Sequence, residues 1–487
     1  MKRISKILIA NRGEIALRIM RTCKVLGIRS VAIYSEVDRR SAHVVYADEA
    51  YCVGPAPSVD SYLNLSRIMD AVKESGADAV HPGYGFLSER AELAGACEDQ
   101  GVVFIGPSAH TISDMGDKML ARELMQTHDV PVVPGTEGAV THVDEALAIA
   151  DQIGYPVLAK AAAGGGGKGM RKVNSAQEME QALDRAQGEA GSAFGDARIF
   201  IEKYLENPRH IEFQILADAY GKCIHLFERE CSIQRRHQKV IEEAPCADMT
   251  VELRSRMGAA AIRAAQACKY VGAGTIEFLL DRDNNFYFME MNTRLQVEHP
   301  VTEYITGLDL VAEQIRIAEG APLPYEQNEM EIHGHAIECR IYAEDPESNF
   351  LPNPGMITFH QVPTGVGVRV DSGLEVSGEV PIYYDPMISK VITWGRTRDE
   401  ATGRMIGALS DYQIAGVKTT CQFCRRVMQS AAWQEARLST HFVDEHSELL
   451  VEEAETPTEA AAVTTVLLQR SNPPNLLATA WLNRRES

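Results

Sequence analysis

Glu290, Asn292, Arg294, Gln296 and Glu298 recur at alternate positions in Phe286-Tyr-Phe-Met-Glu-Met-Asn-Thr-Arg-Leu-Gln-Val-Glu298. In an extended chain that period places all of them on one face, with Met289, Met291, Leu295 and Val297 on the other. A solvated strand rarely mixes oxygen ligands with a guanidinium between aromatics and His299-Pro300, so the pattern reads as a site. Just upstream, Thr275-Ile-Glu277-Phe-Leu-Leu is apolar except for Glu277. A two-residue turn at Asp283-Asn284 would pair position 282 with 285 and therefore Glu277 with Glu290. Two carboxylates that close repel unless they are protonated or bridged by a cation. Glu277, Glu290 and the Asn292 carbonyl are hard oxygen donors, suited to Mg²⁺ shared with phosphate oxygens. An acid pair of glycosidase type is the competing reading, and Asn292 and Arg294 suit it poorly.

A second candidate is Pro156-Val-Leu-Ala-Lys160-Ala-Ala-Ala-Gly-Gly-Gly-Gly-Lys168-Gly169-Met170. A strand running into Lys160 and then a glycine loop with a second lysine offers backbone N–H groups and point charge to phosphates. It is not a Walker A loop, because Ala162 and Gly169 stand where that motif requires other residues. Gly164-x-Gly166-x-x-Gly169 matches a dinucleotide pattern, but Arg171-Lys172-Val173 reads as a returning strand, so a flap over ATP is expected. Glu202-Lys203-Tyr204-Leu205 follows an apolar strand and is expected to grip adenine and ribose. Gln234-Arg235-Arg236-His237-Gln238-Lys239 is the densest basic cluster and reads as an anion-binding strand, because apolar Val240-Ile241 follows it.

The elements that position these residues follow from patterning. Residues 5–105 alternate in a βα rhythm, with Lys6 to Ala10 a strand, Gly13 to Leu26 a helix and Ser30 to Tyr34 a strand. Ala79-Val80 and Val102 to Ile105 are further short strands. Such alternation builds a parallel sheet covered by helices, Rossmann-like but without Gly-x-Gly-x-x-Gly after the first strand. From Val130 to about Leu205 lies a smaller α+β stretch. A strand-rich region with helices such as Val251 to Tyr270 then runs to about His446. The chain from Ser447 to Ser487 is set apart as an appendage. Asp444 to Glu459 holds seven acids and no Lys or Arg and is expected to stay solvated. Leu476 to Arg485 patterns either as an inert, frayed end or as a short amphipathic helix that would gain order by docking on a partner.

Composition limits the function classes. The 487 residues predict about three domains. No apolar run is long enough for a membrane span, and the basic N-terminus with its short apolar run reads as a first strand rather than a secretory signal. Ten scattered cysteines form no disulfide framework and point to a reducing cytoplasm; Cys421 and Cys424 read as two half-buried thiols on a helix. A net charge of −20 argues against a nucleic-acid partner.

Several long motifs, in order, resemble the biotin carboxylases of the ATP-grasp superfamily over residues 3–446. They are Asn11 to Ala16, His81-Pro-Gly-Tyr-Gly-Phe-Leu-Ser-Glu89, the glycine flap, Glu202 to His210, Gln234 to Lys239, Glu290 to Glu298 and Gly334-His-Ala-Ile-Glu-Cys-Arg340. The resemblance implies a multidomain α/β and α+β chain. It would have a Rossmann-like N-terminal domain (1–117), an ATP-grasp lid (118–205), and the large ATP-grasp subdomain with a strand-rich C-terminal region (206–446). The tail is 447–487. The implied reaction makes carboxyphosphate from ATP and bicarbonate and then N-carboxylates biotin on a partner protein. Carried over by motif, Lys118, Lys160, Gly165, Gly166, Met170, Glu202, Lys203, Leu205, His210, Gln234, His237, Leu279 and Glu290 bind the nucleotide. Glu277, Glu290 and Asn292 hold Mg²⁺ or Mn²⁺. Lys239, Arg294, Gln296, Val297 and Glu298 bind bicarbonate, Glu298 as general base, and Tyr84 and Arg340 serve biotin. The catalytic set is thus Glu298, Arg294, Lys239 and Arg340.

Lys168 stands where many relatives carry Arg, which puts the bidentate phosphate grip in doubt. No Ala-Met-Lys-Met attachment motif occurs, so biotin is expected on another polypeptide. The chain would then be one subunit of an acyl-CoA, pyruvate or 2-oxo-acid carboxylase. Its expected partners are a biotin carboxyl carrier protein, a carboxyltransferase and a second copy of itself, with neither nucleic acid nor membrane. Another ATP-grasp carboxylate–amine ligase would not need Arg294, Glu298 and Arg340 together. A silent regulatory subunit would have lost a metal ligand or the base, and none is lost.

Overall fold

A computed structural model describes residues 3–136, 138–140, 142–161, 170–194, 197–374 and 378–451. The first sheet contains strands β1 (Lys6–Ile9), β2 (Arg29–Ser35), β3 (Glu49–Gly54), β4 (Ala79–His81) and β5 (Val103–Phe104), in the order β3-β2-β1-β4-β5 and all parallel. The helix α1 (Gly13–Leu26) follows β1 and buries Ile15, Ala16, Ile19, Met20 and Cys23. Gly27, at φ 71°, ends it with its N–H on the carbonyls of Cys23 and Lys24, a left-handed cap that glycine adopts without a Cβ penalty.

The next unit is a three-stranded antiparallel sheet, β6 (Val157–Ala161), β7 (Met170–Val173) and β8 (Ile199–Lys203), in the order β7-β6-β8. The helices Val143–Ile153 and Ala176–Phe194 flank its strands in the chain. Lys160 pairs with Met170, so the strand expected at Arg171 does return along β6. Gly165, Gly166 and Lys168 lie outside the described residues.

The largest element is one antiparallel sheet of eight strands. It comprises β9 (Arg209–Ala217), β10 (Cys223–Arg235), β11 (Gln238–Ala244), β12 (Gly272–Leu280), β13 (Phe286–Asn292) and β14 (His335–Tyr342), with Val368–Ser372 and Met387–Gly395 completing it. Their spatial order is β13-β12-β9-β10-β11-β14, then Met387–Gly395 and Val368–Ser372. The helix Val251–Ala267 packs Leu253, Met257, Ala260, Ala261 and Ala264 against Ile211, Phe213, Ile215 and Phe278 of the sheet. It stops short of the expected Tyr270, because the chain turns at Lys269 (φ 52°) and Tyr270 packs back into the core.

Five local expectations need correction. The β12–β13 loop is three residues long, 282–284, with Asp281 pairing Asn285 and Asn284 at φ 59°. A bulge at Met289 then shifts the register, and Glu277 comes opposite Glu290 as expected but by a different route. The extended run ends at Asn292, because β13 is an edge strand and the chain turns through 293–298 into the helix His299–Thr306, with Pro300 in its first turn. Gln234 to Lys239 is a hairpin and not one strand: Arg236 (φ 47°) and His237 (φ 63°) form its turn, and Gln234 pairs with Lys239. Finally, the acidic stretch begins folded, in the helix Phe442–Glu445 and the turn Ser447–Leu450. Leu449 and Leu450 pack on the C-terminal core, and Arg426 bonds their carbonyls. The helix expected at 476–485 lies outside the described residues. Cys421 and Cys424 are fully buried rather than half-buried.

Candidate functional site

A cleft of about 1070 Å³ opens between the N-terminal sheet, the three-stranded unit and the large sheet. Every described residue assigned above to nucleotide, metal, bicarbonate or biotin lines it. The large sheet supplies the deepest part through simple register. Glu212 on β9 pairs with Glu277 on β12, Glu277 pairs with Glu290 on β13, and Arg229 on β10 pairs with Glu212. One arginine and three carboxylates thus form a row across four strands.

Lys239 sits against that row. Its Nζ is 2.8 Å from Glu277 and 2.7 Å from Glu298, and it also bonds Glu212. Arg229, wholly buried, donates to Glu212, Gln214, Thr302, Thr275 and Gln296. Gln296 Nε2 reaches Glu277 at 2.8 Å, and His210 Nε2 lies 3.1 Å from the same carboxylate. Arg340 lies between Glu242 (2.6 Å) and Glu298 (2.9 Å). Arg294 is fixed by Glu89 (2.9 Å) and by Asn292 Oδ1 (2.7 Å). The turn through 293–298 therefore brings Arg294, Gln296, Val297 and Glu298 into the cleft without the flat strand that the alternation predicts.

The charges are tuned by their surroundings. Burial opposes ionisation of Glu298, but Lys239, then Arg340 and Arg229, outweigh it and hold its carboxyl well below the usual range. Glu277 is likewise depressed, with Lys239 and His210 overcoming burial. Glu290 moves the other way: burial and then the neighbouring Glu277 charge raise it. Burial, then Lys160, lower the Lys118 ammonium. The neighbouring cations thus favour the Glu277 charge, whereas Glu290 beside it has less compensation than its burial and the Glu277 charge demand. With the Asn292 carbonyl beside it, this hard-oxygen donor set fits a divalent cation.

The outer part of the cleft is looser. Lys160 is 3.6 Å from Glu202 and Arg122 3.4 Å from it. The Lys203 ammonium turns to the carbonyls of Gly154 (2.9 Å) and Tyr155 (3.2 Å), leaving its main chain to the cleft. Gln234 and His210 are joined at 3.0 Å.

Comparison with known proteins bears directly on this arrangement. Residues 3–112 match the biotin carboxylase N-terminal domain, 117–326 the carbamoyl-phosphate synthase L chain ATP-binding domain, and 338–445 the biotin carboxylase C-terminal domain. The chain is 57% identical over 443 residues to a pyruvate carboxylase subunit of Methanothermobacter thermautotrophicus, covering 91% of this chain and 90% of that one. It is 54% identical over 443 residues to the biotin carboxylase of a Nostoc species, covering 91% and 99%. The chain belongs to the biotin carboxylase family.

As a biotin carboxylase it is an ATP-dependent ligase. The biotin carboxylase domain dimer of Hydrogenobacter thermophilus 2-oxoglutarate carboxylase, solved with MgADP, ADP and bicarbonate, superposes with a TM-score of 0.89. The identity is 48%, over 93% of this chain and 100% of that one. Several buried residues that support the cleft lining escape the sequence reading: Glu212, Arg229, Glu242 and Lys390. His210, Glu212 and Gln214 alternate with apolar Ile211, Phe213 and Ile215, the same polar period that marks Glu290 and Asn292, and that signal marks Glu212 in the sequence. For the other three, only strand pairing across many intervening residues reveals their place.

Proposed function

We propose that the two ends of this cleft divide the biotin carboxylase reaction between them. ATP occupies the outer end, held by Lys118, Lys160, Met170, Glu202, Lys203, Leu205, His210, Gln234, His237 and Leu279. Glu277, Glu290 and Asn292 hold Mg²⁺ or Mn²⁺, which neutralises phosphate charge when bound. Bicarbonate lies between Lys239, Arg294, Gln296 and Val297, with Glu298 to take its proton. Phosphoryl transfer from ATP to the bicarbonate oxygen gives carboxyphosphate and ADP, and positioning plus fixed charge supply most of the catalysis.

Glu298 stands ready in its ionised form, and its basicity rises as incoming anions draw on the Lys239 and Arg340 charges. Arg340 and Tyr84 then orient biotin, with the Arg340 guanidinium facing the negative charge that develops on the ureido oxygen. The observation that carries this reading is the single Lys239 ammonium, 2.8 Å from a metal-ligand candidate and 2.7 Å from the base. It ties the phosphate end to the bicarbonate end. The Arg340–Glu298 contact favours a biotin carboxylase over a carboxylate–amine ligase, which has no use for that cation at the base.

Biotin is supplied on a separate carrier protein, the acceptor is chosen by a carboxyltransferase, and the chain pairs with a second copy. Its setting is the cytoplasm: all ten cysteines are free, and among the described residues no helix is long and apolar enough to cross a membrane. The purified protein is expected to hydrolyse ATP slowly with Mg²⁺ and bicarbonate and faster with free biotin. Bicarbonate-independent turnover stimulated by an amine would support the ligase instead.

A further inference from the structure

Lys390 is wholly buried in the strand Met387–Gly395, and none of the roles assigned so far falls to it. Its register partners are Arg340 on β14 and Asp371 on Val368–Ser372. The Lys390 ammonium donates to the Val297 carbonyl, lies 3.6 Å from Glu14 Oε1, and stands 5.8 Å from the centre of the Tyr84 ring. These contacts come from three separate parts of the chain: the turn that carries the bicarbonate residues, the first turn of α1, and the His81 to Glu89 motif.

Arg340, one strand away, holds the carboxylate of the next residue, Glu298, at 2.9 Å. Two neighbouring cations therefore grip consecutive residues, one through main chain and the other through side chain. Charge balance alone does not explain this placement. A lysine buried to neutralise an acid would sit tightly on a carboxylate, whereas this one makes its hydrogen bond to a carbonyl. The acids nearby tolerate its distance: burial pushes Glu14 up to about 7 and Glu338 well above its ordinary value. Asp371 is paired with Arg369 at 2.7 Å.

We propose that Lys390 is a positioning residue for carboxyl transfer. By holding the Val297 carbonyl it fixes the Val297–Glu298 peptide plane, and so the aim of the Glu298 carboxylate. By lying within cation–π reach of Tyr84 it keeps the biotin side in register with the bicarbonate side. This rests on the roles assigned above to Val297, Glu298 and Tyr84.

The test compares Lys390→Met, which keeps the stem and removes the donor, with Lys390→Gln, which keeps a neutral donor, and with the charge-balanced Lys390→Met/Glu14→Gln. Bicarbonate-dependent ATP hydrolysis with free biotin, nucleotide affinity and melting temperature are measured for each. A misplaced base costs on the order of 10²-fold, so Lys390→Met is expected to lose about that much in kcat/KM for bicarbonate with nucleotide affinity unchanged. The double variant should recover melting temperature without recovering kcat/KM, and Lys390→Gln should recover part of the activity. Full activity in the double variant would make Lys390 a charge-balancing residue and overturn the proposal. So would equal losses in folded Met and Gln variants, or failure of all three variants to fold. Wild-type protein without bicarbonate-dependent turnover would remove the underlying reading instead.

Discussion

At the inner end of the cleft Glu212, Glu277, Glu298, Arg229 and Arg340 are buried, and their charges already meet each other or Lys239 at hydrogen-bonding distance. At the outer end Lys160 and Glu202 are partly exposed and stand 3.6 Å apart, and the sequence between Lys160 and Met170 holds three alanines, five glycines and one lysine. The inner end must stabilise charge that develops during reaction, which fixed dipoles and ions do without reorganising. The outer end must admit and release a nucleotide on every turnover, which a saturated ion-pair network would oppose. The contrast between the ends therefore follows the order of events: entry first, chemistry second.

The comparison predicts unequal costs for removing one cation from each end. Arg229→Leu strips five polar partners and leaves Glu212 buried without its arginine, so a stability loss of about 3–5 kcal/mol is expected in urea unfolding. Lys160→Met touches a partly exposed, loosely held pair and is expected to cost under about 1 kcal/mol of stability while weakening nucleotide binding. Equal losses would dissolve the distinction between the ends.

Glu290 stands at the boundary between the two. Glu290→Gln is expected to lower kcat roughly 10²–10³-fold, by analogy with the loss of one transition-state donor, while nucleotide affinity changes little because Lys118, Lys160 and Glu202 remain. Steady-state kinetics with a nucleotide-binding titration separates these. Near wild-type turnover would take Glu290 out of the metal set.

The sequence made part of this contrast legible and hid the rest for identifiable reasons. Local alternation and turn chemistry revealed α1 to its last residue, the return of β7 along β6, and the pairing of Glu277 with Glu290. That pairing survived a wrong turn length only because a bulge at Met289 compensated a loop one residue longer than expected. A one-residue slip moves every side chain to the other face, and no local pattern announces a bulge. The extended period through Glu298 failed because β13, at the sheet edge, is held on one side only and its pairing with β12 stops at Asn292. Lys390, and the Arg229 bonds to Thr275, Gln296 and Thr302, were invisible because their meaning comes from segments far apart in the chain. The large sheet also runs without a break from β11 to β14, across the gap between the family matches that end at 326 and begin at 338.

The acids sharpen the comparison through pH. Glu298 is held below its ordinary value of 4.5, so the stability it contributes is present above that pH and is lost as pH falls toward its folded value. The difference in unfolding free energy between wild type and Glu298→Gln is therefore expected to be largest near neutrality and to narrow below about pH 4.5. Glu14, raised from 4.5 to about 7, has the opposite sign: its contribution is lost as pH rises through that range. Glu14→Gln should gain relative to wild type between those values. A pH-independent gap for both variants would contradict the charge assignments.

The smallest expected effect lies at the outer lip. Thr440, His441, Val443 and Asp444 line the cleft beside Leu205 and Pro208, and the main chain is tied there by Thr440 N–H to the Pro208 carbonyl at 3.0 Å. Glu445 adds two hydrogen bonds, accepting from Asn207 at 2.8 Å and Ser439 at 2.9 Å. Each is partly solvated and contributes about 0.5–1.5 kcal/mol at most, and the Arg426 bonds to Leu449 and Leu450 hold the following turn independently. Glu445→Ala should therefore loosen only the lip, raising KM for ATP about two- to fivefold with kcat unchanged, which is the signature of lost binding shared by ground and transition states. A matching fall in kcat would mean that the lip is mechanically joined to the buried ion-pair network, and the two ends of the cleft would then have to be treated as one.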